Sequence, residues 1–185
     1  GDISAMANQI VAHAEVRAQE YQELKKEAKK YADAQEVARR AQEMKEETTR
    51  IREKALKEAA KRKEEKRVAK RQEVADFAVQ FVGNPYVWGG TSLTNGADCS
   101  GFVMSVFASF GYALPRVAAA QYGASVKKDL SHMEVGDLVF YGNGISHVAL
   151  YIGNGKVVHA LNSNKGIVIT DYNYDTPVGV GTYME

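Results

Sequence analysis

The sequence predicts an α+β domain, helices packed against one antiparallel sheet, preceded by a long α-helical coiled coil. Three observations predict it. No proline and no glycine occurs between Asp2 and Val82, whereas all three prolines and fifteen of the sixteen glycines lie beyond. Charge divides the same way: residues 1–82 carry 19 Lys/Arg and 16 Asp/Glu, net +3, and residues 83–185 carry 5 and 7, net −2. Past residue 83, short apolar runs bounded by glycines replace the helical pattern. The expected organisation is a helical region with a basic connector over 1–72 and a globular domain over 73–185, with about 100 residues for one modest core.

Composition also narrows the class. No run approaches the roughly 20 apolar residues of a membrane span. The chain opens Gly1-Asp2-Ile3-Ser4, without a basic start or an apolar block, and lacks an initiator Met, so a processed or trimmed chain is expected. A single cysteine excludes an intramolecular disulfide and leaves a free thiol to be accounted for.

Residues 3–82 read as helix, being rich in Ala, Glu, Lys, Arg and Gln with no breaker. Ile3, Ala7, Ile10, Ala14, Tyr21, Leu24, Ala28 and Tyr31 alternate three and four apart, with Arg17 interrupting the seam. Ala34, Val37, Ala41, Met44, Thr48, Ile51 and Ala55 resume the rhythm after a register slip near residue 34. This is a coiled-coil pattern with one discontinuity. One helix of that length reaches about 120 Å at 1.5 Å per residue, and so thin a seam calls for self-association or for packing back on itself. Self-association is favoured, because no Gly, Pro or Asn marks a reversal. Over 57–71, Lys57, Lys61, Arg62, Lys63, Lys66, Arg67, Lys70 and Arg71 outnumber Glu58, Glu64 and Glu65. The stretch reads as a solvated connector, or as a patch attracted to an anionic wall or membrane surface. Nucleic acid is not expected, since no aromatics interleave these charges. Val74, Phe77, Ala78, Phe81 and Val82 then restore a strong helical face.

The lone cysteine lies where a glycine-rich loop, Trp88-Gly89-Gly90 through Asn95-Gly96, meets Phe102, Val103, Val106, Phe107 and Phe110. That spacing is one face of a helix running to Gly111. Cys99 is therefore expected in a first helical turn, where free N–H groups and the helix dipole favour a thiolate nucleophile. A lone cysteine is more often a small buried apolar residue, so the argument needs a base.

Leu114-Pro115-Arg116 breaks the chain, and a short helix is expected over Val117 to Tyr122. Strands are expected at Leu138 to Tyr141, His147 to Ile152, Lys156 to Leu161, Gly166 to Asp171 and Val178 to Tyr183. A two-residue loop at Asn154-Gly155 would put His147 and His159 on opposite faces of their hairpin. A three-residue loop, Gly153 to Gly155, pairs Ile152 with Lys156 and Ala149 with His159, and both imidazoles then share a polar face. The other face, Val148, Leu150, Ile152, Val158 and Ala160, is apolar. His13 and His132 are read as structural or solvated. His147 and His159, taken with Cys99, look like a base and the group that orients it.

Asn84-Pro85-Tyr86-Val87-Trp88-Gly89-Gly90, Asp98-Cys99-Ser100-Gly101-Phe102-Val103, Leu114-Pro115-Arg116, Gly136-Asp137-Leu138-Val139-Phe140, His147 through Gly155, and His159-Ala160 resemble, in order and spacing, the NlpC family of bacterial cell-wall cysteine peptidases. The resemblance covers about residues 73–185 and leaves the coiled coil outside. It implies a papain-like fold and a triad of Cys99 as nucleophile, His147 as base and His159 as orienting residue. It implies hydrolysis of peptidoglycan stem peptides between D-γ-glutamate and diaminopimelate or lysine. It also implies that Tyr86 and the Cys99 N–H stabilise the oxyanion, and that Asp98, Ser100 and Arg116 contact substrate. One departure is visible: Val117-Ala118-Ala119-Ala120 is apolar where the family often carries a hydroxyl. The resemblance implies no cofactor and no metal, and a secreted or wall-associated location, the signal peptide having been removed.

Three other readings compete. Cys99, His147 and His159 are a legitimate zinc set, although no HExxH helix is present. A muramoyl-alanine amidase, or another acyl transfer on the same triad, would use the same residues. An interaction protein built on the coiled coil would need none of them.

Overall fold

In the computed structural model, which describes residues 2–185, α1 spans Asp2–Val79. Two compact units result, one ending at Ala60 and one covering Lys61–Glu185. In the first, α1 is held by its own backbone and by exposed pairs three or four residues apart, among them Arg39 with Glu36 and Glu43 at 2.6 Å. Its seam residues, Ile10, Leu24, Tyr31, Val37, Met44 and Ile51 among them, stand exposed.

The second unit is built on α2, Cys99–Ala108. Its expected apolar face is realised, with Phe102, Val103, Val106 and Phe107 wholly buried. The helix stops at Ala108, short of the expected end, and the chain leaves through Gly111 at φ +86°. The last turns of α1 join the same core through Val74 and Ala78, also buried. A short ribbon, β1 (Thr91–Ser92) with β2 (Gly96–Ala97), precedes α2, and α3 (Ala118–Ala124) follows it. The short helix thus begins one residue later and runs two residues further than the spacing suggested.

The sheet is wholly antiparallel. Its strands are β3 (Val126–Lys128), β4 (Leu138–Tyr141), β5 (His147–Gly153), β6 (Lys156–Asn162), β7 (Gly166–Asp171) and β8 (Pro177–Thr182). They lie in the order β3-β8-β4-β5-β6-β7. Val148, Leu150, Val158 and Ala160 face the helices in the main core. The opposite face is not the expected polar one: Val139, Tyr141, Ala149 and Val157 form a second buried cluster under Met133, Tyr151 and Tyr172.

The expected hairpin loop is also corrected. The turn is the two-residue one, Gly153 opposite Lys156, with Asn154 at φ +54° and Gly155 at φ +74°. A bulge between Tyr151 and Gly153 then shifts the register by one, setting Tyr151 opposite Val157 and Leu150 opposite Val158. Ile152 therefore supplies the one-residue offset that the longer loop was to supply. His147 and His159 share a face for that reason.

Buried charge closes the second unit. Arg71, 3% exposed, donates to Asp137 Oδ1 at 2.8 Å and to the Val135 carbonyl at 3.1 Å, and also to Thr182 Oγ1 and the Met184 carbonyl. Lys128 reaches the other Asp137 oxygen at 2.8 Å. Arg67 pairs with Glu64 and Glu134. Two cations of the basic stretch are thus taken up by carboxylates rather than left to solvent.

Candidate active site

Asp98 caps α2. Its Oδ1 accepts the Gly101 N–H at 2.8 Å, and the same carboxylate accepts from the Gly89 N–H and from Nη1 and Nη2 of Arg116, each at 2.9 Å. Burial alone would raise the Asp98 carboxyl, but Arg116 and the two N–H groups outweigh it and hold it below the ordinary range. The cap uses the third N–H of the helix and leaves those of Cys99 and Ser100 without an intrahelical acceptor. Gly101 allows the approach: a β-carbon there would lie 2.1 Å from the Gly90 carbonyl oxygen.

Cys99 is 8% exposed, and its Sγ lies 3.9 Å from the Ser146 carbonyl. The helix start was expected to lower this thiol. Burial pushes it up instead, and the Asp98 charge adds to the rise; the N–H groups of Val148, Ser100 and Cys99 only partly oppose it. Burial acts on His147 in the opposite sense, bringing it down to about 4, with Asp175 pulling weakly upward. Both shifts favour a neutral thiol and a neutral imidazole in the free site.

His147 Nε2 lies 2.7 Å from His159 Nδ1. His159 is fully buried, and its Nε2 lies 2.9 Å from Thr170 Oγ1, so both of its nitrogens are satisfied. Tyr174 covers the pair, its ring centroid 5.0 Å from that of His159 and 6.4 Å from that of His147. The two rings direct nitrogens at each other rather than at a common point with sulfur. Among the described residues, no group of three or more His, Cys, Asp and Glu is placed to hold a metal ion. The zinc reading therefore has no geometry behind it here.

A cleft of about 640 Å³ opens over these groups, lined by Tyr86, Asp98, Cys99, Ser100, Arg116 and His147 together. Of the sequence-derived site residues only His159 lies outside its wall, behind His147. The apolar departure also lies in that wall: Val117, Ala118 and Ala119 face the cleft with Ile145 and Leu161. Trp88, 86% exposed, stands at the same opening. His132 is not among its lining residues. Thr170, Tyr174 and Ile145 were not singled out from the sequence. Thr170 was within reach of the strand pattern, since Val157 pairs with Thr170 and His159 with Val168, making Thr170 a diagonal neighbour of His159. Ile145, a β-branched residue at φ +60°, carries a strain that composition does not reveal.

A buried thiol at a helix start, an imidazole on the wall of the same cleft and a second imidazole behind it make a candidate cysteine–histidine site on an α+β, papain-like scaffold. The model of the NlpC/P60 family matches residues 83–178, and the chain belongs to that family. Over 85 residues it is 47% identical to the probable endopeptidase p60 of Listeria seeligeri, a stretch that is 45% of this chain and 16% of that protein. It is 42% identical over 103 residues to the gamma-D-glutamyl-L-lysine dipeptidyl-peptidase of Bacillus subtilis strain 168, covering 53% of this chain and 34% of that one. A solved NlpC/P60 family protein from Bacillus cereus ATCC 10987 superposes with a TM-score of 0.60 and 31% identity, over 62% of this chain and 40% of that chain. The chain thus spans less than half the length of these relatives.

Proposed function

We propose that this protein is a cysteine endopeptidase that hydrolyses peptidoglycan stem peptides at the D-γ-glutamyl–diaminopimelate or D-γ-glutamyl–lysine bond. The observation that carries the reading is the junction of Cys99 and His147 on one open cleft, with His147 held at 2.7 Å by a buried His159. Relatives named as endopeptidases and as a gamma-D-glutamyl-L-lysine dipeptidyl-peptidase support the choice of bond.

In this reading Cys99 Sγ attacks the amide carbonyl as His147 takes its proton, forming the C–S bond and a tetrahedral oxyanion. The N–H of Cys99 and the Tyr86 hydroxyl stabilise that charge, each donor contributing about 3–4 kcal/mol. The imidazolium returns its proton to the leaving amine as the C–N bond breaks. Water, deprotonated by the same ring, then cleaves the thioester and restores the thiol. Asp98 is bonded to Arg116, Gly89 and Gly101, and the Ser100 hydroxyl to Asp98 and Arg116, so Tyr86 and the outer side of Arg116 are the polar groups left to meet substrate.

The test is a digest of purified muropeptides carrying either lysine or diaminopimelate, read by mass spectrometry. The expected products are split after D-glutamate, Cys99→Ala gives none while keeping its circular dichroism, and chelators leave the wild type unaffected. Release of the whole stem from muramic acid would replace this reading by the amidase one, and an intact digest would end it. Two corollaries complete the proposal. The substrate lies outside the cytoplasm, so the protein belongs among secreted or wall-associated proteins, and the exposed seam of α1 associates with a second copy.

A further inference from the structure

Behind the two histidines the hydrogen bonds have only one consistent direction. The Asp171 carbonyl oxygen is solely an acceptor, and Thr170 Oγ1 lies 3.1 Å from it, so the hydroxyl donates there. Having a single proton, Thr170 Oγ1 must then accept from His159 Nε2–H across their 2.9 Å contact. A neutral His159 protonated on Nε2 presents a lone pair on Nδ1, which accepts from His147 Nε2–H at 2.7 Å. His147 is thereby left with its lone pair on Nδ1, the one nitrogen of the two rings not already engaged, which in the peptidase reading is the one that takes the thiol proton.

We propose that Thr170 is a positioning residue that sets the tautomers of both histidines, so that His147 offers a base and not a proton to Cys99. The inference rests on the peptidase reading for its kinetic consequence but not for its structural one. With the Thr170 hydroxyl turned the other way, His159 would carry its proton on Nδ1 and His147 Nε2 would accept it. The remaining proton of His147 would then sit on Nδ1, directed away from His159, and no lone pair would be free to receive the thiol proton. The Asp171 carbonyl blocks that arrangement by fixing the hydroxyl. During acylation the Sγ proton passes to His147 Nδ1, and the resulting imidazolium keeps its Nε2–H on His159 Nδ1, so no second proton has to move.

The test uses the full chain labelled with ¹⁵N-histidine, whose proton–nitrogen correlation spectra read each tautomer directly. The wild type is expected to carry its ring proton on Nε2 of both His147 and His159. Thr170→Val, which keeps the shape and removes the hydroxyl, should shift His159 toward the Nδ1–H form. It should lower kcat on the order of 10- to 100-fold with KM unchanged. Thr170→Ser should restore both the spectrum and kcat. A wild-type His159 protonated on Nδ1 would overturn the assignment without any variant, as would unchanged tautomers in Thr170→Val or an equal loss of kcat in Thr170→Ser. A wild type with the expected tautomers that cleaves no muropeptide would instead count against the peptidase reading alone.

Discussion

His147, the base of the proposed reaction, stays neutral far below the pH at which a free imidazole charges. Its pKa is brought from 6.5 to about 4 mainly by burial, so the unprotonated form persists as pH falls and is lost only through that lower value. The acid limb of kcat/KM is expected near pH 4 rather than near 6.5. Asp175→Asn should move it lower still, because Asp175 is the charge that raises this ring. A pH–rate profile of both proteins checks the limb and the sign of its shift. At Asp98, replacement by alanine removes the helix cap and the partner of Arg116 together. The cap alone is expected to cost about 1–2 kcal/mol in urea unfolding. The helix start at Cys99 was legible because glycine and helical spacing mark it locally, whereas Asp98 reads as a substrate contact and its capping role emerges only from the fold. The rise of the Cys99 thiol was not legible either, since it depends on how much chain closes over the sulfur.

The β5–β6 hairpin shows how one element can be read correctly for an incomplete reason. The two histidines share a face as expected, yet through a bulge at Ile152 and not through a longer loop. Sequence spacing constrains the total offset between strands, whereas the place where the extra residue sits is settled by packing. Gly155 at φ +74° holds the tight turn, and Gly155→Ala is expected to cost about 1–2 kcal/mol, measured by thermal and urea unfolding. The edge strand β3 had no signature, because Val126 and Lys127 are exposed and their pairing with Thr182 and Gly181 is remote in sequence. In α1, Ile10, Leu24, Tyr31, Met44 and Ile51 define an exposed apolar seam. Sedimentation equilibrium should show concentration-dependent association of the full chain, and Ile10→Lys with Leu24→Lys should shift it toward monomer.

At the scale of the folded second unit, Asp137 is the charge on which a buried network converges. Asp137→Ala takes from the buried Arg71 the carboxylate it bonds directly, while Lys128 keeps Glu134 at 2.7 Å, and an expected loss of about 3–5 kcal/mol follows. Glu134→Ala, on a side chain 38% exposed, should cost under about 1 kcal/mol; urea unfolding of the two variants compares them. This network was invisible in the sequence, where Arg71 reads as one more cation of a solvated run and Asp137 as a turn residue before a strand. Distance along the chain hides such pairs, while apolar periodicity, which is local, gave the helices and most strands. The contact between Gly101 and the Gly90 carbonyl carries a consequence for swapping parts among relatives. The loop over 84–97 and the opening of α2 are shaped to each other with no room for even a methyl group. A chimera that imports the one must import residues 98–103 with it, and these two segments are expected to be inherited as a single block.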